Sequence, residues 1–569
     1  MPFISSPTAP SDSYFDLGAY ARHITAANAE AKLWFNRGLI WTYGFNRVEA
    51  VTCFKNAISA DPDCAMAYWG LAHSSGAYYN KSWKLFDPKD LRQSLERSSD
   101  AAQKAFQLRK HCNALEKALI EALGKRYAAV SADEDLSKRD LDYVEAMEKV
   151  YEEFGEDLDV AALSAEALMN LTPWTLWDPY TGDPTPQSRA YTVGKYLEKA
   201  LENEAAWQHP GVLYLYIHYI EISREPERGV RAAECLRTLV PDGGHLNHMP
   251  SHLDVLVSNY GAVIAANRAA IVADTKYLDK IGGKDMYTFY RVHDYHSLIY
   301  AAMLSGRSKV ALENVSELEQ SLDDELLRVE SPPMADWLEA FLAVRPYILI
   351  RFGMWEEILR LKLPEDELLY CVTTTTIHYA QGVAHAALGN VAEALESRVQ
   401  FRKALKLIPE TRYDYPNKCV DTLRVGEAML AGEIEYRREN YSEAFRHLEE
   451  SISLDDNLIY SEPWGWMQPT RHAYAALLLE QGRVEDAATV YAADLGFDGS
   501  LPRGRQHPNN IWALHGYHEC LTRLGRLAEA KIISLPLKLA RAMADVPVAS
   551  SCYCRRIATE AEEGAKKCC

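Results

Sequence analysis

One pattern recurs along this chain and decides what it can fold into. An apolar helical stretch closes near glycine, a short turn follows, and a second helical stretch carries Glu-Ala and closes near aspartate or proline. Residues 31–64 show it, as do 378–409, 428–457, 472–495 and 511–531. This is the layout of a tetratricopeptide hairpin, a helix–turn–helix unit of about 34 residues. Small residues such as Gly38, Ala65, Gly382 and Ala394 let the two helices of a hairpin approach closely, and Trp34, Tyr43, Phe54 and Tyr68 fill the space between hairpins. A single hairpin leaves one apolar face uncovered, so neighbours must stack on it. The expected fold is all-α: a tetratricopeptide-like α-solenoid of stacked helical hairpins, wound into a closed or strongly curved superhelix. No alternating runs bounded by hairpin turns occur, so no sheet is expected. At 569 residues the chain outruns one ordinary core, which a growing stack accommodates.

The order along the chain follows. An N-terminal segment (1–30) precedes helical repeats (31–170). A histidine-rich region (171–310) opens with a proline-rich loop at 171–189. Further repeats fill 311–540, and 541–569 reads as a flexible tail. Residues 459–470 form a second loop rich in aromatics and proline.

The net charge of −19 argues against nucleic acid or an anionic membrane as partner, because both need a positive field. No apolar run reaches the ~18 residues of a membrane span. The N-terminus lacks a basic stretch followed by an apolar one, so a cytoplasmic location is expected. Cys53, Cys64, Cys235, Cys371, Cys419 and Cys520 sit in apolar helical patterns and read as reduced core residues. The terminal Cys568-Cys569 pair is like the prenylated end of a small GTPase, but no other feature supports lipidation.

The chemistry concentrates in the middle. His245, His248, His252, His293 and His296 fall within about fifty residues, with His209 and His218 just upstream. Pro250 places a helix start there, running on through 253–274, with His252 in its first turn. The positive end of that helix disfavours protonation of imidazole, and a neutral imidazole is what a metal requires. His293 and His296 stand three apart on one helical face, and so do His218 and Glu221. Paired ligands on facing helices are how helical proteins build metal centres. Asp294 or a backbone carbonyl would orient a ligand's second nitrogen. The other reading is a hydrogen-bonded core network of histidines. Trp174, Trp177 and Tyr180 either wall a pocket or pin the 171–189 loop.

The stretch 233–274, with GGHLNHMPSH at its centre, resembles a family of large tetratricopeptide-like proteins of bacteria and fungi whose hallmark is HxxHMPSH. Other matching pieces are 35–80, YIHYIE (216–221), HDYHSLIYAAMLSGR (293–307), RPYILIRFGMWEEIL (345–359) and HYAQG (378–382). Asp294 departs from the pattern, where the family more often has asparagine. The resemblance implies the repeat fold. Fungal members look like biosynthetic-cluster proteins, which implies a natural-product role. Because they lie in matching segments, it also implies that His73, Tyr79, Asn80 and His378 line a shared pocket; Tyr79 and Asn80 also suit a helix end.

Three functions stay open. In the first, His218, His245, His248, His252, His293 and His296 hold copper or iron in an oxidoreductase, with Tyr290 among the tyrosines that contact a small-molecule substrate. In the second, zinc serves a hydrolase or lyase with Glu221 as general base. In the third, the solenoid surface binds a protein partner and the histidines are structural. Six histidines and a glutamate exceed one tetrahedral shell, so either two ions or one ion with orienting neighbours is expected.

Overall fold

The structure, a computed structural model, describes residues 14–127, 135–282 and 285–555 and is a helical solenoid. Successive helices pack as hairpins: Ala29–Tyr43 on Arg47–Ala60, Cys371–Leu388 on Val391–Leu405, Cys419–Arg437 on Tyr441–Asp456. The small residues act as the sequence suggests. The Phe54 ring occupies the space a Cβ would need at both Gly38 (2.9 Å) and Gly70 (2.2 Å), so one phenyl locks two successive hairpins.

The two helices of a hairpin have different surroundings. Thr470–Glu480 buries nearly every residue, whereas Val391–Leu405 buries only Ala394, Phe401 and Ala404. First helices line the inside of the superhelix, and second helices present one apolar stripe inward and charge outward. The inner helices are extreme in the centre. Every residue of Pro210–Ile220 is buried. In Tyr287–Leu304, only Phe289 and His293 keep partial exposure.

The superhelix closes on itself. Tyr260 donates to the Pro508 carbonyl (2.8 Å), Trp512 Nε1 to the Met303 carbonyl (2.7 Å), and Tyr180 to Asn457 (2.8 Å). On the other flank Phe15 packs on Tyr277, and the Asp242 amide donates to the Asp16 carbonyl. The histidine-bearing helices are thereby enclosed by both ends of the repeat array.

Three expectations change. The helix from Pro250 stops at Leu256, turns through Ser258 in the left-handed region (φ 67°) and restarts at Tyr260; the apolar pattern runs on through this break and hides it. A two-residue antiparallel hairpin exists, Tyr413–Asp414 with Asn417–Lys418. The segment expected as a tail from 541 is packed through Arg555: a helix runs to Met543, and Ser550, Ser551 and Cys554 are buried. Cys568-Cys569 lies outside the described residues.

Candidate metal centre

Pieces of three central hairpins converge. Pro210–Ile220 carries Tyr214 and His218 and ends at Glu221. The short helices Gly244–His248 and Pro250–Leu256 carry His245, His248 and His252. Tyr287–Leu304 carries Tyr290, His293 and His296. Met249 between the short helices is itself helical, so His248 and His252, four apart, share a face. This packing demands Gly244: a Cβ there would fall 1.8 Å from Asp274 Oδ1.

Hydrogen bonds fix which ring nitrogens carry protons. Asn267 Nδ2 donates to the Val263 carbonyl (2.9 Å), which turns Oδ1 toward His248, where it accepts from Nδ1–H at 2.6 Å. Asp294 Oδ1 lies 3.1 Å from the same Nδ1. Glu221 takes Nδ1–H of His218 on Oε1 (2.7 Å) and Nδ1–H of His252 on Oε2 (2.6 Å). Tyr214 donates to His218 Nε2 (3.0 Å), so both nitrogens of that ring are spoken for. With Glu221 ionised, His248 and His252 are left with bare lone pairs on Nε2, which face each other at 2.8 Å; a proton on Glu221 would instead let His252 Nε2–H donate to His248. His293 Nε2 lies 3.1 Å from His248 Nε2. Two lone pairs that close repel unless a cation sits between them.

That cation is not a ready proton, because burial disfavours imidazolium here. His248 is pushed down to about 4 and His218 to about 3, and His245, His252 and His293 are held well below the usual imidazole range; burial is the main cause in each. A transition ion fits the donors. Imidazole nitrogens about 2.0–2.1 Å from one ion sit about 2.9–3.4 Å apart, close to the spacings found. Nδ1–H held by a carboxylate or amide is the usual support for such a ligand.

Two buried carboxyl pairs flank the rings. Glu462, from the 459–470 loop, lies against Glu221 and 3.9 Å from His252 Nδ1. Burial pushes both carboxyls well above the usual carboxylate range, and each carboxyl is the other's side-chain hydrogen-bond partner. Under His248, Asp274 and Asp294 form the second pair, with Tyr287 donating to Asp274 at 2.8 Å.

The remaining expected residues divide. Trp174 and Tyr79 reach the site: the two rings stack at 5.7 Å, and His218 lies 5.1 Å from Tyr79 and 5.9 Å from Trp174. Among the described residues the buried Trp174 Nε1 has no hydrogen-bond partner, while the Tyr79 hydroxyl faces the Trp174 backbone amide and Asn80 faces the Tyr290 hydroxyl. Aromatic contacts continue from Trp174 through Tyr415, Trp337 and Phe289 to His293, at the one opening of the central helix. Tyr290 bonds Tyr78 (3.3 Å), and its ring lies 4.4 Å from that of His245. Beyond that wall is a pocket of about 380 Å³, lined in part by Phe45, Arg47, Tyr78 and Tyr290.

Several expected ligands stand apart. His245 packs between Tyr290 and Tyr214 and stacks on His248, but it is not among the converging nitrogens. His296 packs on Phe341. Glu221 cannot serve as a free base, since both oxygens hold imidazoles. Trp177 donates to the Tyr219 carbonyl and pins its loop. His73 lies in a separate cluster beside Glu166 (3.3 Å). His378 is half-buried, and its charged neighbour is Glu367. Sequence reasoning missed Asn267, Asp274 and Glu462. Asn267 and Asp274 stand seven apart on one helical face within the resembling stretch, a signal that was there to be read; Glu462 has only its loop.

No protein-family model matches this chain, and no curated protein matches it. A solved structure of Naa15/Naa10 bound to HypK-THB is similar at a TM-score of 0.21 and 13% identity, covering 90% of this chain and 70% of that one. A likeness that loose speaks to neither site nor function.

Proposed function

We propose that this chain is a metal-dependent enzyme acting on a small molecule, an oxidoreductase of natural-product chemistry. One first-row transition ion is held by Nε2 of His248, His252 and His293. The observation that carries the reading is the pair of facing Nε2 atoms, 2.8 Å apart between two buried rings. An all-imidazole set suits copper or iron, and also zinc. The geometry favours oxidation over the hydrolase reading, because the glutamate a hydrolase would use as base is occupied: Glu221 orients His218 and His252. Asn267 orients His248. Phe289, Trp337, Tyr415 and Trp174 offer flat apolar surface beside His293, which suits an aromatic substrate.

Elemental analysis of the purified chain tests this. About one copper or iron per chain is expected, with His248→Ala/His252→Ala retaining less than about a tenth of it. Stoichiometric zinc would move the assignment to the hydrolase class. A folded wild-type chain that takes up none of the three ions would end the proposal.

A further inference from the structure

A second cluster of ligand-type side chains, sharing no residue with the first, lies where the C-terminal strap crosses the repeats. Cys552, Cys554 and Glu433 bring one ligand atom each to within 4.8 Å of one another. Glu433 sits on the inner helix Cys419–Arg437, is 2% exposed, and its Oε2 has no hydrogen-bond partner. Glu433 and Cys552 line a cavity of about 20 Å³ together with Met429 and Tyr379, room for one water-sized occupant. The amide of Cys554 donates to Cys552 Sγ at 3.3 Å, which favours thiolate on that sulfur. Two arginines stand nearby: Arg437 donates to the Cys554 carbonyl and to Glu480 and also, against the upward push of burial, lowers the Glu433 carboxyl, and Arg351, which lines the same cavity, donates to the Ser551 carbonyl.

The two sulfurs are joined as a disulfide in this structure, while seven other described cysteines are free thiols, six of them buried. In a compartment that keeps those thiols reduced, the Cys-x-Cys pair is reduced as well. We infer that the reduced pair and Glu433 form a second cation site, two thiolates and a carboxylate around one borderline divalent ion of the zinc class. Reduction takes two electrons and two protons from a thiol reductant, which leaves as its own disulfide. Uptake of the ion then releases both thiol protons. Two thiolates and one oxygen are a ligand set zinc accepts and magnesium or calcium does not.

Position gives the site a purpose. The strap carrying both cysteines begins where Asp545 accepts from Ser308 and Lys309 at a helix start, continues where Ser551 bonds Tyr491, and ends at the Arg555–Glu519 pair. An ion shared by Glu433 and the strap ties the hairpin of Cys419–Arg437 to the three others that the strap already holds.

Cobalt(II) titration of the full chain, with and without a thiol reductant, tests this separately from the histidine centre, because only thiolates give a sulfur-to-cobalt charge-transfer band. The reduced wild type develops the band, His248→Ala/His252→Ala keeps it and saturates it at one cobalt per chain, Cys552→Ser/Cys554→Ser loses it, and Glu433→Gln needs at least ten-fold more cobalt. The oxidised chain shows no band. A reduced, folded wild type without the band overturns the inference, as does a band that survives Cys552→Ser/Cys554→Ser. Both outcomes leave the histidine site untouched.

Discussion

A hydrogen bond on one side of an imidazole decides what the other side can do. Asn267 illustrates this, since its amide is held by the Val263 carbonyl and so can only accept from His248. Asn267→Leu removes the shorter of the two acceptors and leaves only Asp294 Oδ1, 3.1 Å away, to hold Nδ1–H, so the ring is freer to present Nε2–H. Metal affinity should then fall about 10–100-fold, read by competition with a chelator, with little change in secondary structure by circular dichroism. Glu221→Gln acts differently, because an amide has one accepting end and His218 and His252 both donate to this position. A similar loss of affinity is expected, together with a lower melting temperature. A third residue carries a pH signature. Burial works to raise the Glu166 carboxyl, but Arg47 at 2.7 Å and the His73 ring bring it down to about 2. A carboxyl depressed on folding contributes stability above its unfolded value, and that contribution is lost as pH falls through the folded one. The wild type should therefore exceed Glu166→Gln by on the order of 2–3 kcal/mol at pH 7. Urea melts should show the gap shrinking from about pH 4.5 down to about 2; a gap constant with pH would show that the charge contributes nothing.

Elements show which parts of this were legible beforehand. The hairpins were, because Gly38, Gly382 and the Glu-Ala pairs recur at a spacing set by helix packing, and packing is local along a solenoid. The 245–252 cluster was too, because three histidines in one turn-rich segment must land near one another whatever the tertiary course. Ring direction was not. His296 stands three residues from His293 on the same helix, yet it packs on Phe341, since a helical face is wide and a metal site is one point. His73 and His378 carried the right residue type in resembling segments, but a segment match says nothing about where a side chain points. Glu462 was invisible because closure brings it to Glu221 across more than two hundred residues, and no periodicity encodes that contact. The elements also explain the double glycine before His245. Gly244→Ala would drive a methyl into Asp274, at a cost of about 1–3 kcal/mol if the short helix shifts to absorb it. That shift moves His248 with it. The variant should lose metal along with stability, whereas Gly70→Ala, which strains only Phe54, should lose stability of similar size and keep its metal.

At the scale of the molecule, closure turns a string of neighbour contacts into one cooperative body. An open solenoid transmits a perturbation only to adjacent repeats. Here Glu462 lies on Glu221, Tyr260 on Pro508 and Trp512 on Met303, so the central helices and the C-terminal repeats share buried polar contacts. The proposed ion between His248, His252 and His293 would stabilise the folded state by about 2.7 kcal/mol at a hundred-fold excess over its dissociation constant. Closure determines where that stabilisation is felt. Hydrogen exchange with and without metal should show added protection at 214–221 and 244–256. It should also appear at 459–468, through the Glu221–Glu462 contact and the His252 ring beside it. Exchange at 441–456, on the outer face, should be unchanged unless the whole molecule opens first. If protection stops at residue 304, the loop bearing Glu462 rests against the centre without energetic connection to it. If protection reaches 459–468 in the wild type and is lost there in Glu462→Gln alone, the contact between the two carboxyls is the link through which the two halves of the superhelix report on the ion.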